Sequence, residues 1–428
     1  MRGVYVLLLI SLLGYTGRVS GQESVTITQC YEWARANYPQ IHQMGLIDQT
    51  ERYSLSNVGK AWLPQLSVSG KASYQSDVTK LPFDGDKISS LLPGFEIPSL
   101  SKDQYQVVAQ VDQTIWDGGS ARSARALTRA EATANREQLE SELYALNDRV
   151  NQLYFGCLLQ DELIRQNALL QKELQVNIER IEAMMENGVA NQSDLESMEV
   201  ELLNARQNEI ELKASRTVYR QMLATFINKP LTDQVVLKTP ESPERSLSTQ
   251  INRPELRALD AKSEWIETQN KQVTAGLMPR IGAFVQGGYG RPGLNMLEDS
   301  FEPYYVAGVR LSWNLGKLYT LKNDRRKIEV SRRQIDVQRE TFLFNTRLQL
   351  LQQNTEIKKM TDLMRADDDI IRLRTSIKQA AEVKLENGVI SVTDLIREIN
   401  AEDMARQTAA AHRVQRLMTI YNYMYITN

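Results

Sequence analysis

ENGVANQSDLESMEVELLNARQ occupies Glu186–Gln207, and ENGVISVTDLIREINAEDMARQ occupies Glu386–Gln407. The two stretches start 200 positions apart in a chain of 428 residues. Both open on Glu-Asn-Gly-Val and both place Asp-Leu at the same offset (Asp194-Leu195 and Asp394-Leu395). Both also close on Ala-Arg-Gln. Glycine at such a place ends a helix through a left-handed residue. Ser193 or Asp194 can then cap a returning helix. The repeat divides the chain into two similar halves.

Each turn is reached by a long glycine- and proline-poor segment. Ser120 to Asn187 contains no proline and one glycine, Gly156, over 68 residues. That predicts a single helix 120–187, roughly 100 Å long at about 1.5 Å per residue. Residues 317–387 contain neither Gly nor Pro and predict a second helix of 71 residues. Helices of this length need partners along them, as in a coiled coil. Return helices are expected over 194–228, stopped by Pro230, and over 394–425.

Upstream of each long helix, hydrophobicity alternates with period two, the mark of a half-buried strand. Strands are expected at about 62–74, 105–116, 279–290 and 304–315. Leu66, Val68, Gly70, Ala72 and Tyr74 share one face of the first, and Tyr105, Val107, Ala109, Val111 and Ile115 one face of the second. Ile281, Ala283, Val285 and Tyr289 share a face of the third. Tyr305, Ala307, Val309, Leu311, Trp313 and Leu315 share a face of the fourth. Lys71, Gln106, Gln110, Asp112, Gln286 and Arg310 lie on the polar faces. A helical stretch over 25–60 precedes the first strand pair, and a helix 254–274, opened by Pro254, precedes the second. The expected division is a first repeat 22–230, a polar linker 231–250 and a second repeat 251–428.

Tyr74, Tyr105, Tyr289 and Tyr305 fall at the loop ends of these strands, and Trp62, Trp116 and Trp313 at the helix ends. Two aromatic belts on an apolar face are what membrane interfaces select. Four strands cannot close a barrel, and an open edge cannot sit in lipid. Closure therefore requires oligomerisation. Two copies would supply eight strands and a filled interior, three would supply twelve and a passage. The polar faces suit a wet lumen.

Composition narrows the rest. Charged residues make up 24%, hydrophobic residues 42%, and the formal net charge is −2, with no basic footprint for nucleic acid. Arg2 followed by the apolar run Val4–Leu13, with Val19 and Gly21 at the cut site, predicts a cleaved signal peptide over 1–21. Cys30 and Cys157 fall in helical patterns and are expected as buried thiols, with a single disulfide between them in an oxidising compartment as the alternative. His42 and His412 lie far apart, neither at metal-ligand spacing with a Cys or another His. Gly288, Gly290 and Gly293 fit G-x-G-x-x-G, but Pro292 and a loop follow, so they mark a hairpin end. Asp367, Asp368 and Asp369 are expected as a solvated or lumen-facing patch. No catalytic constellation, cofactor site or metal site is expected.

AWLPQL after the first helix, TIWDGG and SWNLG at the strand-to-helix junctions, NRPEL at the start of the second half and the doubled ENGVxxxxDL together resemble the TolC-like outer-membrane efflux proteins. The resemblance covers essentially the whole chain after the leader. It implies an α+β membrane protein, a homotrimer whose twelve strands form one barrel in outer-membrane lipid. A helical coiled-coil tunnel continues it into the periplasm, with the two turns of each chain at the inner end. It also implies partners: a periplasmic adaptor protein and an inner-membrane pump, of resistance-nodulation-division type in the first place or an ABC exporter. In that family the inner end is closed at rest and opens when they engage.

The family places an Asp six residues after each turn glycine, here Asp194 and Asp394. The second lines the narrow entrance in the best-known members, with another Asp three positions on. Here that position is Arg397. Those members hold the closed state with a Tyr and an Arg, whose places are taken by Leu385 and Ile390. The resemblance then leaves closure to apolar packing of Leu385, Val389 and Ile390, or to another ion pair. Helix capping alone would also explain Asp194 and Asp394. Asn187, Gly188 and Val189, with Asn387, Gly388 and Val389, match the adaptor-docking region, although a tight turn by itself needs the glycines. Drugs, metals, siderophores and peptides all stay open as cargo. The rival reading is a secreted structural or adhesive coiled-coil protein with a small β cap, which would not need two aromatic belts.

Overall fold

The computed structural model describes residues 24–78, 100–243, 248–296 and 298–428. The expected signal peptide and most of the Pro- and Gly-rich loop after Tyr74 lie outside the described residues. In chain order the elements are β1 (Ser24–Val25), α1 (Ile27–Asn37), a short 3-10 turn (Pro39–His42), α2 (Gln43–Lys60), β2 (Gln65–Tyr74) and β3 (Asp103–Trp116). Then come α3 (Ser120–Tyr144), α4 (Leu146–Glu186), α5 (Gln192–Ile227), β4 (Val236–Leu237) and α6 (Pro254–Ala275). The chain ends with β5 (Arg280–Arg291), β6 (Glu302–Ser312), α7 (Lys317–Glu386) and α8 (Val392–Thr427). Two compact units result. One holds 43–78, 100–138, 257–296 and 298–340; the other holds 24–42, 139–243, 248–256 and 341–428.

The first unit carries a four-stranded antiparallel sheet in the order β2-β3-β5-β6. Strands from the two sequence halves meet at its centre, where Val111 pairs with Val285 and Val107 with Tyr289. Side chains alternate across each strand, so this register assembles one continuous apolar face. Leu66, Val107, Val285, Tyr305 and Val309 belong to it, and all are exposed. Val309 keeps 69% of its surface open. β2 and β6 form the two edges, each with one hydrogen-bonding side unpaired among the described residues. In the same unit α6 packs on α7 through Ile266, Ile328 and Ile335.

The structure corrects strict alternation at the end of β3. Thr114 pairs with Gly282 and Trp116 with Ile281, so Ile115 is an extra residue in the ladder. The bulge shifts parity by one. Trp116 thereby joins the face of Ile281 and Leu311, and it is 42% exposed.

The second unit is helical around two apolar clusters. In the first, Val25, Cys30, Ala34, Tyr154, Phe155, Cys157, Leu223 and Ile227 are buried together. Gly156 permits the close approach of α4 and α5, because a Cβ there would stand 2.6 Å from the Tyr219 ring. Both cysteines are free, and burial pushes each thiol up to about 12. Two expectations are corrected here. The linker 231–250 is not wholly a polar connection: Val235 and Leu237 are core, and β4 pairs in parallel with β1. The Tyr154 hydroxyl fixes that pairing: it lies within hydrogen-bond distance of both the Val25 and the Lys238 carbonyls, at 2.8 and 2.6 Å, and shares its one proton between them. The helix expected over 120–187 is interrupted at Ala145. Beside that break Tyr144 stacks on Tyr425, ring centroids 5.1 Å apart, and bonds its carbonyl. Arg253 lies over both rings.

Candidate functional site

The two glycine turns have the same backbone. Gly188 and Gly388 adopt φ of +72° and +69°, a left-handed conformation that disfavours any Cβ. Val189 N–H donates to the Met184 carbonyl at 2.9 Å and Gly188 N–H to Met185 at 2.9 Å. Val389 and Gly388 repeat this with Lys384 and Leu385, at 2.8 and 2.9 Å. These paired bonds satisfy the orphan carbonyls at the end of α4 and of α7, a Schellman closure. Asn187 and Asn387 each add a 2.7 Å side-chain bond to the carbonyl four residues earlier.

The return helices start on capping boxes, which corrects the expected cap residues. Asn191 and Ser391 are the N-caps; Asp194 and Asp394 sit three residues on and reach back. Asp394 accepts from the Ser391 hydroxyl at 2.7 Å and from its backbone N–H at 3.2 Å. The Ser391 hydroxyl, then the Ser391 amide and the Arg397 charge, hold the Asp394 carboxyl below the usual carboxylate range. Arg397 lies 3.5 Å from Asp394 and 3.4 Å from Glu398. The first turn has no such cation, because Ser197 only returns a 2.7 Å bond to Ser193.

The apolar residues around the turns divide sharply. Val189 and Val389 are exposed. Leu385 is buried in the core shared by the two hairpins, with Leu174, Ile181, Met198, Leu395 and Ile399, and Ile390 packs at its margin. Leu385, expected with Val389 and Ile390 to close a passage by apolar packing, has its side chain packed inside its own chain in this conformation. Val389 is the open apolar side chain at the second turn.

Above the turns lies a buried ionic cluster that sequence reasoning missed. Glu402, only 2% exposed, takes Lys378 at 2.5 Å, Arg406 at 2.5 Å and the Thr375 hydroxyl at 2.5 Å. Lys378 also hydrogen-bonds Glu173. Burial raises the Glu402 carboxyl, but the bonds from Lys378, Thr375 and Arg406 outweigh it and leave the group lowered. Next to it, burial and the charges of Glu173 and Glu402 push Asp403 up to about 6, a 2.6 Å bond from Gln407 only partly offsetting them. The i,i+4 pair Glu402 and Arg406 was visible in the sequence; its junction with residue 173 was not. Asp367 is likewise corrected. It is buried and meets His412 Nδ1 at 2.7 Å, while Asp368 and Asp369 stay exposed.

On the sheet, the seven expected belt aromatics, Trp62, Trp116, Trp313, Tyr74, Tyr105, Tyr289 and Tyr305, are all exposed. Phe301 joins the tyrosine end, stacked between Tyr105 and Tyr289 with centroids at 6.4 and 5.7 Å. The opposite face carries Gln106, Gln110, Asp112, Gln286 and Arg310. It also carries Phe284 and Tyr304, two rings that its polar pattern did not announce. Among the described residues no group of three or more His, Cys, Asp or Glu is placed to hold a metal ion, and no helix is long and apolar enough to cross a membrane.

Residues 30–229 match the family described as outer membrane efflux protein. Among functionally curated proteins none matches the sequence. The described fold is similar to that of CusC, with a TM-score of 0.65 at 14% identity over 94% of this chain and 92% of that one. It is similar to VceC from Vibrio cholerae (0.62, 12%, over 93% and 95%) and to MtrE from Neisseria gonorrhoeae (0.62, 14%, over 94% and 88%). Those structures are respectively a transmembrane channel, an outer membrane protein and an outer membrane channel in its open state. At these identities the likeness is one of fold.

Proposed function

We infer that this chain, which belongs to the outer membrane efflux proteins through residues 30–229 and has the fold of their channel subunits, is one subunit of a passive outer-membrane duct. The observation that carries the reading is the two-faced sheet. Leu66, Val107, Val285, Val309 and Leu311 expose one apolar face, and the other face is polar. In water such a face would be a severe aggregation liability; in lipid it is the outer wall of a barrel. Unpaired edges on β2 and β6 require further strands, and three copies supply twelve.

The reading continues to partners. The exposed turn triplets, Asn187–Val189 and Asn387–Val389, are the docking points for a periplasmic adaptor. An inner-membrane pump supplies the energy, with a resistance-nodulation-division pump the first candidate and an ABC exporter the second. Gating falls to the second turn, through Asp394, Arg397, Val389 and Ile390. Asp194 at the first turn is a helix-capping residue. The chain would act in the outer membrane of a Gram-negative cell after removal of its leader, and it would carry out no chemistry on its cargo. Membrane fractionation tests the reading. The protein is expected in the outer-membrane fraction, released only by detergent, as a trimer. Recovery as a soluble protein without detergent would favour the secreted coiled-coil alternative.

A further inference from the structure

The register of β3, β5 and β6 sets Asp112 beside Phe284 and Phe284 beside Gly308, all on the polar face. Gly308 leaves room for the Phe284 ring, which a Cβ there would approach to 3.1 Å. The Arg310 guanidinium lies over that ring, 4.8 Å from its centroid. The Asp112 carboxylate is 3.8 Å from it, beyond hydrogen-bond range. Asp112 instead accepts a 2.6 Å bond from Gln110. Arg310 donates no hydrogen bond to any described residue, and its side chain is 58% exposed. It borders a cavity of about 430 Å³ whose lining also includes Trp62, Ile281 and Arg280. The other carboxylate there, Asp117, is occupied by the Gly119 and Ala121 amides at 2.8 and 2.5 Å.

A guanidinium held over a ring, with its donors unspent, is pre-organised for a planar anion. Its fork matches a carboxylate bidentately, and Phe284, on the same face, supplies apolar surface for an attached ring. We propose that Arg310 and Phe284 form a station on the inner wall that takes aromatic carboxylates. This rests on the duct reading and names the cargo class it favours. In a trimer three such stations encircle the lumen, and the loose Asp112 competes with cargo for each guanidinium.

Saturation-transfer NMR of the detergent-solubilised full chain tests this with benzoate as the probe and benzyl alcohol as its neutral counterpart. Wild type is expected to bind benzoate more tightly than benzyl alcohol. Arg310→Gln should weaken benzoate about tenfold, Arg310→Lys should retain part of the affinity, and Asp112→Asn should strengthen it. Equal binding of the two probes by wild type overturns the proposal. So does a matching loss in Arg310→Gln and Asp112→Asn, which would make Arg310 only a structural ion-pair partner. A protein that fractionates with the outer membrane yet fails the benzoate test loses this proposal and keeps the duct reading.

Discussion

Lys378 Nζ lies 2.5 Å from Glu402 Oε2, and Glu402 is the most deeply buried carboxylate of the described chain. The pair joins α7 to α8, and through Glu173 it ties both to α4 of the first repeat. Removing one partner of a buried pair leaves the other uncompensated, at a cost of about 3 kcal/mol. Lys378→Ala is therefore expected to lower the urea midpoint of the solubilised protein strongly. Lys378→Met combined with Glu402→Gln should recover most of the loss. A double variant as unstable as the single would show that packing, rather than charge, holds the junction.

Asp403 sets a second, pH-dependent expectation. Its folded carboxyl is raised to about 6, above the ordinary value of 3.8. A raised acid contributes stability that is full below the unfolded value and is lost as pH rises through about 6. Asp403→Asn keeps an acceptor for Gln407 and removes the burial of a charge. It should stabilise the protein at pH 7.5 by roughly 1–2 kcal/mol, discounted for partial exposure, and by much less at pH 4. Urea midpoints of both proteins at the two pH values check this. An equal shift at both would place the effect elsewhere. Asp394, Glu402 and Glu162 are held low and work in the opposite sense, losing stability as pH falls.

At the second turn Asp394 and Arg397 oppose each other's charge. If they line the entrance, Arg397→Ala leaves an uncompensated carboxylate and should raise cation selectivity in reconstituted channels, while Asp394→Ala should lower it. Reversal potentials across a KCl gradient measure both. Selectivity unmoved in either variant would reduce Asp394 to its place in the capping box with Ser391.

The turns and strand faces were legible because their signals are local. Gly188 and Gly388 need a positive φ that little else tolerates, and Val107, Val111, Val285 and Val309 declare a face by period alone. What escaped the sequence is set by partners distant along the chain. Lys378 meets Glu173 across about 200 positions, and nothing near either residue specifies it. Asp367 looks like one of three equivalent acids until His412 is brought against it. Leu385 occupies a position that the family resemblance assigned to gating, yet the neighbouring hairpin buries it. The interruption at Ala145 carries no Gly or Pro to mark it; it lies beside the packing of Tyr144 on Tyr425 and Arg253.

The bulge at Ile115 supplies the most direct test of which face meets lipid. By alternation alone Trp116 falls with Asp112 and Thr114 on the polar side. The ladder instead pairs Trp116 with Ile281, on the face of Leu311. A charged residue on a lipid-facing strand costs about 2–4 kcal/mol near the bilayer midplane and less toward the interface. Val285→Arg should thus severely impair assembly, and Trp116→Arg should impair it more mildly at the belt. Gln286→Arg, one residue from Val285 but on the polar face, should assemble normally. Trimer yield in the outer-membrane fraction ranks the three. If Gln286→Arg proved as damaging as Val285→Arg, both faces would be packed against protein and the sheet could not be a barrel wall.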